Sequence, residues 1–510
     1  MAILGRAILV LVWASALTLA RATPTWANGQ HGHEAGIPGT SVLLTLLIFL
    51  LAAVALVCSL GLYIRWRPGS AAGRQLRALA SSDYIRTVRG FSRNAKLLLS
   101  RSLIVGVNFG LWHVLFNLYL LAAGFDEGFV AKMVAVNWLT HGLVVIPAGI
   151  ISDLLGRRRV FLVAYAIAIL FRGLRLFTLD PQALLIFSAL GGVTEGFHAI
   201  TGPPFMLEQS RPEERVHLFS LSAVCIAVSL TVGNAMAGLF PVWLAGSLGV
   251  EVGSATALRA ALVIIIPVGI ASMVPIYLIK EQWRVVSLKA WFTGLTSQGI
   301  MARLTLTQGL EAVGLGLVVT FFNVMFVSKY GASTMFVGNL FAISTVVVAG
   351  FTLFTPILVK RLGQVRTLVA IQLAGLPFLM LMVVAPNRWF SGAGYMLRET
   401  FTGIGAGPTG GMGSPIERLF PMEIVKQHER GTTNGLMHAF LEFPMSIGAW
   451  IAGPMMVGGE WSVIYMLASA WFAASYLTFL YFFRPVEARM QAAAPAGGGL
   501  LPRQGRGRPR

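Results

Sequence analysis

Residues 149–159 read Gly149-Ile-Ile-Ser-Asp153-Leu-Leu-Gly156-Arg157-Arg158-Arg159. They follow an apolar run of about twenty residues, and three arginines mark where such a run leaves the membrane on its positively charged side. A glycine lets helices approach closely, and the aspartate can pair with a base or a helix end. The same offsets return in Pro356-Ile-Leu-Val-Lys360-Arg361-Leu-Gly363-Gln-Val-Arg366, displaced by 207 positions (363 minus 156). Lys360 and Pro356 replace the aspartate and the first glycine, so the copy needs a different pairing partner.

A second pair keeps nearly the same displacement. Glu208-Gln-Ser-Arg-Pro-Glu-Glu-Arg215 and Glu423-Ile-Val-Lys-Gln-His-Glu-Arg430 are both E-x6-R, 215 positions apart (423 minus 208). Two pairs in register predict a duplicated six-helix unit. The composition agrees: 56% of the 510 residues are hydrophobic and 12% charged, with a mean hydropathy of +0.74. Roughly thirteen apolar stretches of spanning length follow the first thirty residues. Spanning backbone must satisfy its own hydrogen bonds, so these are helices.

The excess of 39 basic over 20 acidic residues sits in alternate loops. Arg67, Arg74, Arg77, Arg86, Arg89, Arg93 and Lys96 face only Asp83 between Arg65 and Arg101, whereas the opposite loops carry Asp126, Glu127, Asp180, Glu251 and Glu460. The positive-inside rule accounts for this without nucleic acid. Cys58 and Cys225 fall in apolar runs and imply no disulfide.

The loop at 149–159 resembles the signature G-x-x-x-D-R-x-G-R-R of the major facilitator superfamily, with Leu154 at its usual basic position. The E-x6-R pair resembles the acid/arginine loops of that family's sugar porters. The resemblance covers about residues 99 to 484 and implies a 12-helix fold of two six-helix pseudo-repeats that rock about a midplane site. The expected fold class is therefore an all-α polytopic membrane protein of that kind plus one additional N-terminal transmembrane helix. Gly149, Asp153, Gly156, Arg157, Arg158, Lys360, Arg361, Gly363, Glu208, Arg215, Glu423 and Arg430 are the expected conformational-gate positions.

Residues 1–27, with Arg6 before the run Ala7 to Ala20, fit both a cleavable signal and an anchor helix. Residues 28–98 hold a periplasmic linker with His31 and His33, the extra helix near Ser41 to Ile64, and a basic cytoplasmic loop. The halves are expected at 99–281 and 300–484, joined by a cytoplasmic linker at 282–299, and 485–510 as a disordered basic tail. Span ten carries Gly403, Gly405, Gly407, Pro408, Gly410, Gly411, Gly413 and Pro415, which loosen a helix. These, with Gly448, Gly453 and Gly458 in span eleven, resemble loosely the glycine and proline signature of proton antiporters in the superfamily, which belongs in the fifth span, and close helix packing is the favoured explanation.

Ionisable residues inside spans mark function by default. Glu195 and His198 are three apart, as are Gln308 and Glu311; Asn434, His438 and Glu442 follow at intervals of four. His113 with Asn117 and Asn137 with His141 are also four apart. Glu311, Glu195 and Glu442 are candidates for taking up a proton, Glu311 first, because it has no neighbouring base and span seven lines the cavity in the family. The others, His113, Asn117, Asn137, His141, His198, Gln308, Asn434 and His438, are candidates for lining a substrate cavity. Arg172, Arg175, Arg398 and Glu399 complete the set; on the competing structural reading Arg398 and Glu399 serve structure and Glu442 sits at a helix end near the headgroups. No metal-ligand spacing, cofactor motif or phosphate-binding loop is present.

The expected protein is a multi-pass, monomeric protein of a bacterial cell inner membrane with its C-terminus cytoplasmic, in contact with lipid, a small-molecule substrate and protons. It would be a secondary transporter, not an enzyme, with export the favoured direction. A non-transporting assembly or sensing factor and a lipid translocase are the competing functions.

Overall fold

The computed structural model describes residues 88 and 90–493, apart from 212–213, 280–295, 353, 403–410 and 427–428, and leaves undescribed the side chains of 216, 430–432 and 491–493. The N-terminal segment with its expected signal, extra helix, His31, His33 and Cys58 lies outside the described residues. So do most of the linker and the tail beyond 493.

Among the described residues there is no strand. The first half comprises α1 (Arg93–Ala122), α2 (Glu127–Leu155), α3 (Arg157–Phe177), α4 (Pro181–Glu208) and α5 (Arg215–Leu248), then α6 (Ala255–Val263) and α7 (Ile265–Tyr277), which together make one span. The second half comprises α8 (Gln298–Val318), continued through a 3-10 turn into α9 (Phe322–Tyr330), then α10 (Thr334–Thr352), α11 (Thr355–Leu362), α12 (Gln364–Val384), α13 (Arg388–Phe401), α14 (Ser414–Ile424), α15 (Arg430–Val457) and α16 (Trp461–Ala493). Eleven helices among the described residues are long and apolar enough to cross a membrane. The position of the tenth span is taken by α13 and α14.

The repeat is visible in the backbone. Gly156 joins α2 to α3 at φ +93°, and Gly363, its counterpart 207 positions on, joins α11 to α12 at φ +85°. Both turns need a conformation that side chains with a Cβ rarely adopt. The helix crossings repeat too. A Cβ on Gly106 or Gly233 would strike the backbone at the α1/α5 crossing, and one on Gly316 or Gly448 would do so at the α8/α15 crossing. The span-eleven glycine Gly448 thus lies at a close helix crossing.

Four expectations are corrected. Arg101, placed at the end of the basic loop, lies two turns inside α1, because the first span begins at Arg93 and is entered through a basic run. Span ten is not a continuous helix: α13 stops at Phe401 and α14 starts at Ser414, with Pro415 in its first turn, where proline's missing N–H is harmless. The competing structural reading of Glu442, at a helix end near the headgroups, fails, since it lies well inside α15. Residues 485–493 extend α16 as helix instead of opening a tail.

Candidate functional site

The loop signature is an ion-pair network at the basic end. Arg157 donates to Asp153 at 2.7 and 2.9 Å and meets Glu208 at the end of α4 at 3.1 Å. Arg158 donates to the Ile276 and Tyr277 carbonyls at the end of α7. The degenerate copy uses neutral chemistry at the same places: Gln364, counterpart of Arg157, donates to Glu423, counterpart of Glu208, at 3.0 Å. Glu487 on α16 accepts the Gln364 and Val365 N–H groups that open α12. Lys360 and Arg361 are exposed in the last turn of α11, where cations complement the helix dipole. Arg215 has no acid partner among the described residues, and its Nε is buried without a hydrogen bond. The Arg430 side chain lies outside the described residues.

Two acids next to those arginines take a part that the sequence does not disclose. Glu214 accepts from the Ser92 N–H (2.9 Å) and hydroxyl (2.6 Å) just before α1. Glu429 accepts from the Thr296 and Ser297 N–H groups just before α8. Burial opposes ionisation of Glu214, but the Ser92 bonds and the Arg211 N–H hold its carboxyl below the ordinary range. Glu429 is held at about 2 by Ser297 and Thr296. Their 215-position displacement (429 minus 214) is visible in the sequence, but a helix-capping role is not, because the partners are over a hundred residues distant.

Inside the first half, Glu195 accepts two bonds from Arg172, at 2.8 and 3.1 Å, and Arg172 also donates to Asn108. His198, one turn along α4, receives Arg101 Nη2 at 2.6 Å, stacks on Tyr165 and packs at a tilt against Phe161. Arg175 is 3% exposed and lies over the rings of Trp112 and Phe116. Asn137 donates to the Ser188 carbonyl and so ties α2 to α4.

Inside the second half, Gln308 and Glu311 of α8 line a cavity of about 80 Å³ with Gln372, Glu417, Ser475 and Tyr476. The Tyr476 hydroxyl donates to Glu311 at 3.4 Å, and Gln372 donates to Glu417. The amide oxygens of Gln308 and Gln372 are buried without partners. Glu311 has no cation at ion-pair distance among the described residues. Arg398 and Glu399 form a separate buried ion pair, Arg398 lying over Phe322.

Between the halves, α2 and α15 cross so closely that a Cβ on Gly142 would lie 2.8 Å from the Phe443 nitrogen. His141 and Glu442 flank this crossing; both ring nitrogens of His141 and Oε2 of Glu442 are buried without partners. Asn434 and His438 precede Glu442 on α15, toward the basic end. At the end away from the basic loops, Asn117 donates to the Thr320 carbonyl (3.0 Å) and Asn323 donates to those of His113 (3.1 Å) and Val114 (2.9 Å). Ser328 donates to Glu127 across the same gap. The hydrogen bonds and ion pairs described above for the basic end each stay within one half. The candidate residues thus fall into an Arg/Glu/His cluster in the first half, an acid-and-amide cavity in the second, and a seam between them. Trp112, Tyr165, Gln372 and Tyr476 escape sequence reasoning, because an aromatic or amide in an apolar span carries no signal of its own; Arg101 and Glu417 escape it as well.

Two helical bodies related by an internal repeat, packed together at the α2/α15 crossing and hydrogen-bonded at the end away from the basic loops, define a polytopic membrane protein. Residues 97–416 match the sequence profile of the Major Facilitator Superfamily, and the chain belongs to that family. Its fold is similar to that of a D-xylose-proton symporter, at 12% identity and a TM-score of 0.58, covering 78% of this chain and 98% of that one. It is also similar to a mutant of the nucleoside transporter NupG (13%, TM-score 0.57, 76% and 100%). A bacterial homolog of the human lysosomal transporter Spinster is a third (14%, TM-score 0.53, 78% and 96%). No curated protein matches the chain significantly.

Proposed function

We propose that this protein is a secondary transporter that moves a small organic molecule by alternating access and couples the movement to protons through Glu311. The carrying observation is the second-half cavity, where Glu311 lies among Gln308, Gln372 and Glu417 with no cation to pair with among the described residues. A carboxylate whose solvent access and nearby charge change between two states binds and releases a proton as they interconvert. Glu195, paired to Arg172, and Glu442, at the seam, follow it as coupling candidates. With the basic loops in the cytoplasm by the positive-inside rule, the end at which Asn117, Asn323 and Ser328 bridge the halves is the outer one, which supports an inward-open reading. The gate positions at the basic end hold each half together internally, leaving the halves free to part there.

The test is substrate-free proton uptake and release by the purified protein in detergent, wild type against Glu311→Gln, between about pH 5 and 9. Loss of one titrating proton in the variant is expected. An unchanged trace would remove Glu311 as the coupling group.

A further inference from the structure

The cationic cluster of the first half is not used by proton coupling at Glu311. Arg101, Arg172 and Arg175 lie within spans, and Glu195, the acid at their centre, is taken by Arg172. Arg175 is sealed between rings, with Nη2 unpartnered. Arg101 differs from both. It is half-buried, its plane lies 4.7 Å over Phe161 and 5.7 Å over Tyr165, and its Nη2 meets His198 Nε2 at 2.6 Å. Arginine only donates, so the imidazole nitrogen it meets must accept, and His198 brings no negative charge to the contact. Arg101 Nε is buried with no partner.

Arg101 is therefore held in one orientation by His198 and the two rings, keeps part of its surface exposed, and has no ion-pair partner among the described residues. By contrast, the buried Arg398 of the second half has Glu399 beside it. A guanidinium within a membrane span without an anion is unfavourable, and its flat fork of donors matches a carboxylate. Because the Arg172–Glu195 pair is neutral and Arg175 is enclosed, the accessible uncompensated charge is a single one.

We propose that Arg101 anchors the negatively charged group of the transported molecule, and that this molecule is an organic monoanion of the carboxylate class. The assignment rests on the transport reading for the word transported, but not for binding. His198, Phe161 and Tyr165 are positioning residues that fix the guanidinium.

The experiment uses the purified full-length protein and two monoanions of different shape, benzoate and hexanoate, with neutral benzamide and cationic benzylamine as matched controls. Affinity is read by calorimetry and by the shift of the thermal midpoint. Both anions are expected to bind saturably and the controls not to. Arg101→Gln is expected to weaken anion binding by about tenfold or more, with Arg101→Lys falling between, since it keeps the charge and loses the fork. Equal binding of a control, no response to either anion in the wild type, or wild-type affinity in Arg101→Gln would overturn the assignment. If Arg101→Gln does not purify as a single species, the wild-type selectivity and Arg101→Lys decide. Uptake of labelled benzoate into vesicles carrying the protein separates the two claims: binding without uptake removes transport and leaves the anion site standing.

Discussion

The α8/α15 crossing allows one substitution chemistry to be tested with two opposite signs. A Cβ on Gly316 would sit 2.1 Å from the Met445 carbonyl oxygen and 2.8 Å from its carbon, where ordinary contact begins near 3.4 Å. These are backbone atoms, so no rotamer change can relieve the clash, and the two helices must separate by more than an ångström. Overpacking of this kind is unfavourable by about 1–3 kcal/mol, and separation also loosens the reciprocal contact of Gly448 against the Val313 oxygen. A Cβ on Gly350 in α10 would meet no atom within 4 Å, so alanine there gains up to about 1 kcal/mol of helix propensity. Thermal unfolding of the purified variants, followed by circular dichroism, should show Gly316→Ala melting below the wild type and Gly350→Ala at or above it. A Gly316→Ala protein as stable as the wild type would refute the packing argument.

Three further outcomes are expected. The folded carboxyls of Glu214 and Glu429 lie below their unfolded value near 4.5, so their contribution to stability is present above that pH and fades as pH falls toward 2; a melting series between pH 2 and 6 should show that slope, flattened in the double variant Glu214→Gln/Glu429→Gln. Replacing Asn323 by alanine removes donors to His113 and Val114, each bond being worth about 0.5–1.5 kcal/mol; the outer end of α1 and α9 should then part, giving faster labelling of cysteines placed there by an impermeant maleimide. Arg398→Met removes the cation paired with buried Glu399 and should lower stability by about 3–5 kcal/mol, with Arg398→Met/Glu399→Gln milder than the single change, measured by denaturant titration.

Much of the fold was legible because lipid leaves a chain few options. Apolar runs of spanning length must be helices, and the two loop pairs at displacements of 207 and 215 marked the duplication that Gly156 and Gly363 carry out in the backbone. The candidate site was legible only in part. Glu311 and Gln308 could be paired by helical spacing and do line one cavity, but Glu417 and Gln372 reach it from other helices, and periodicity says nothing about which helices meet. Arg101 was hidden for a different reason: seven basic residues precede it in a region where loop and helix have the same charge, so the start of α1 had no compositional edge. Glu442 could not be given a depth without knowing that α15 begins at Arg430.

Alternating access is the claim on which the rest depends, and it is tested most directly by paired distances in one protein. In a background with Cys58 and Cys225 replaced by serine, spin labels at Arg159→Cys and Arg361→Cys report the basic end, and labels at Glu251→Cys and Glu460→Cys the opposite end. Pulsed electron–electron distances should shift in opposite directions at the two ends when the reconstituted protein is moved from about pH 8 to pH 5. Distances that stay fixed at both ends under these conditions and with benzoate present would contradict a rocking carrier and point to a rigid, non-transporting body.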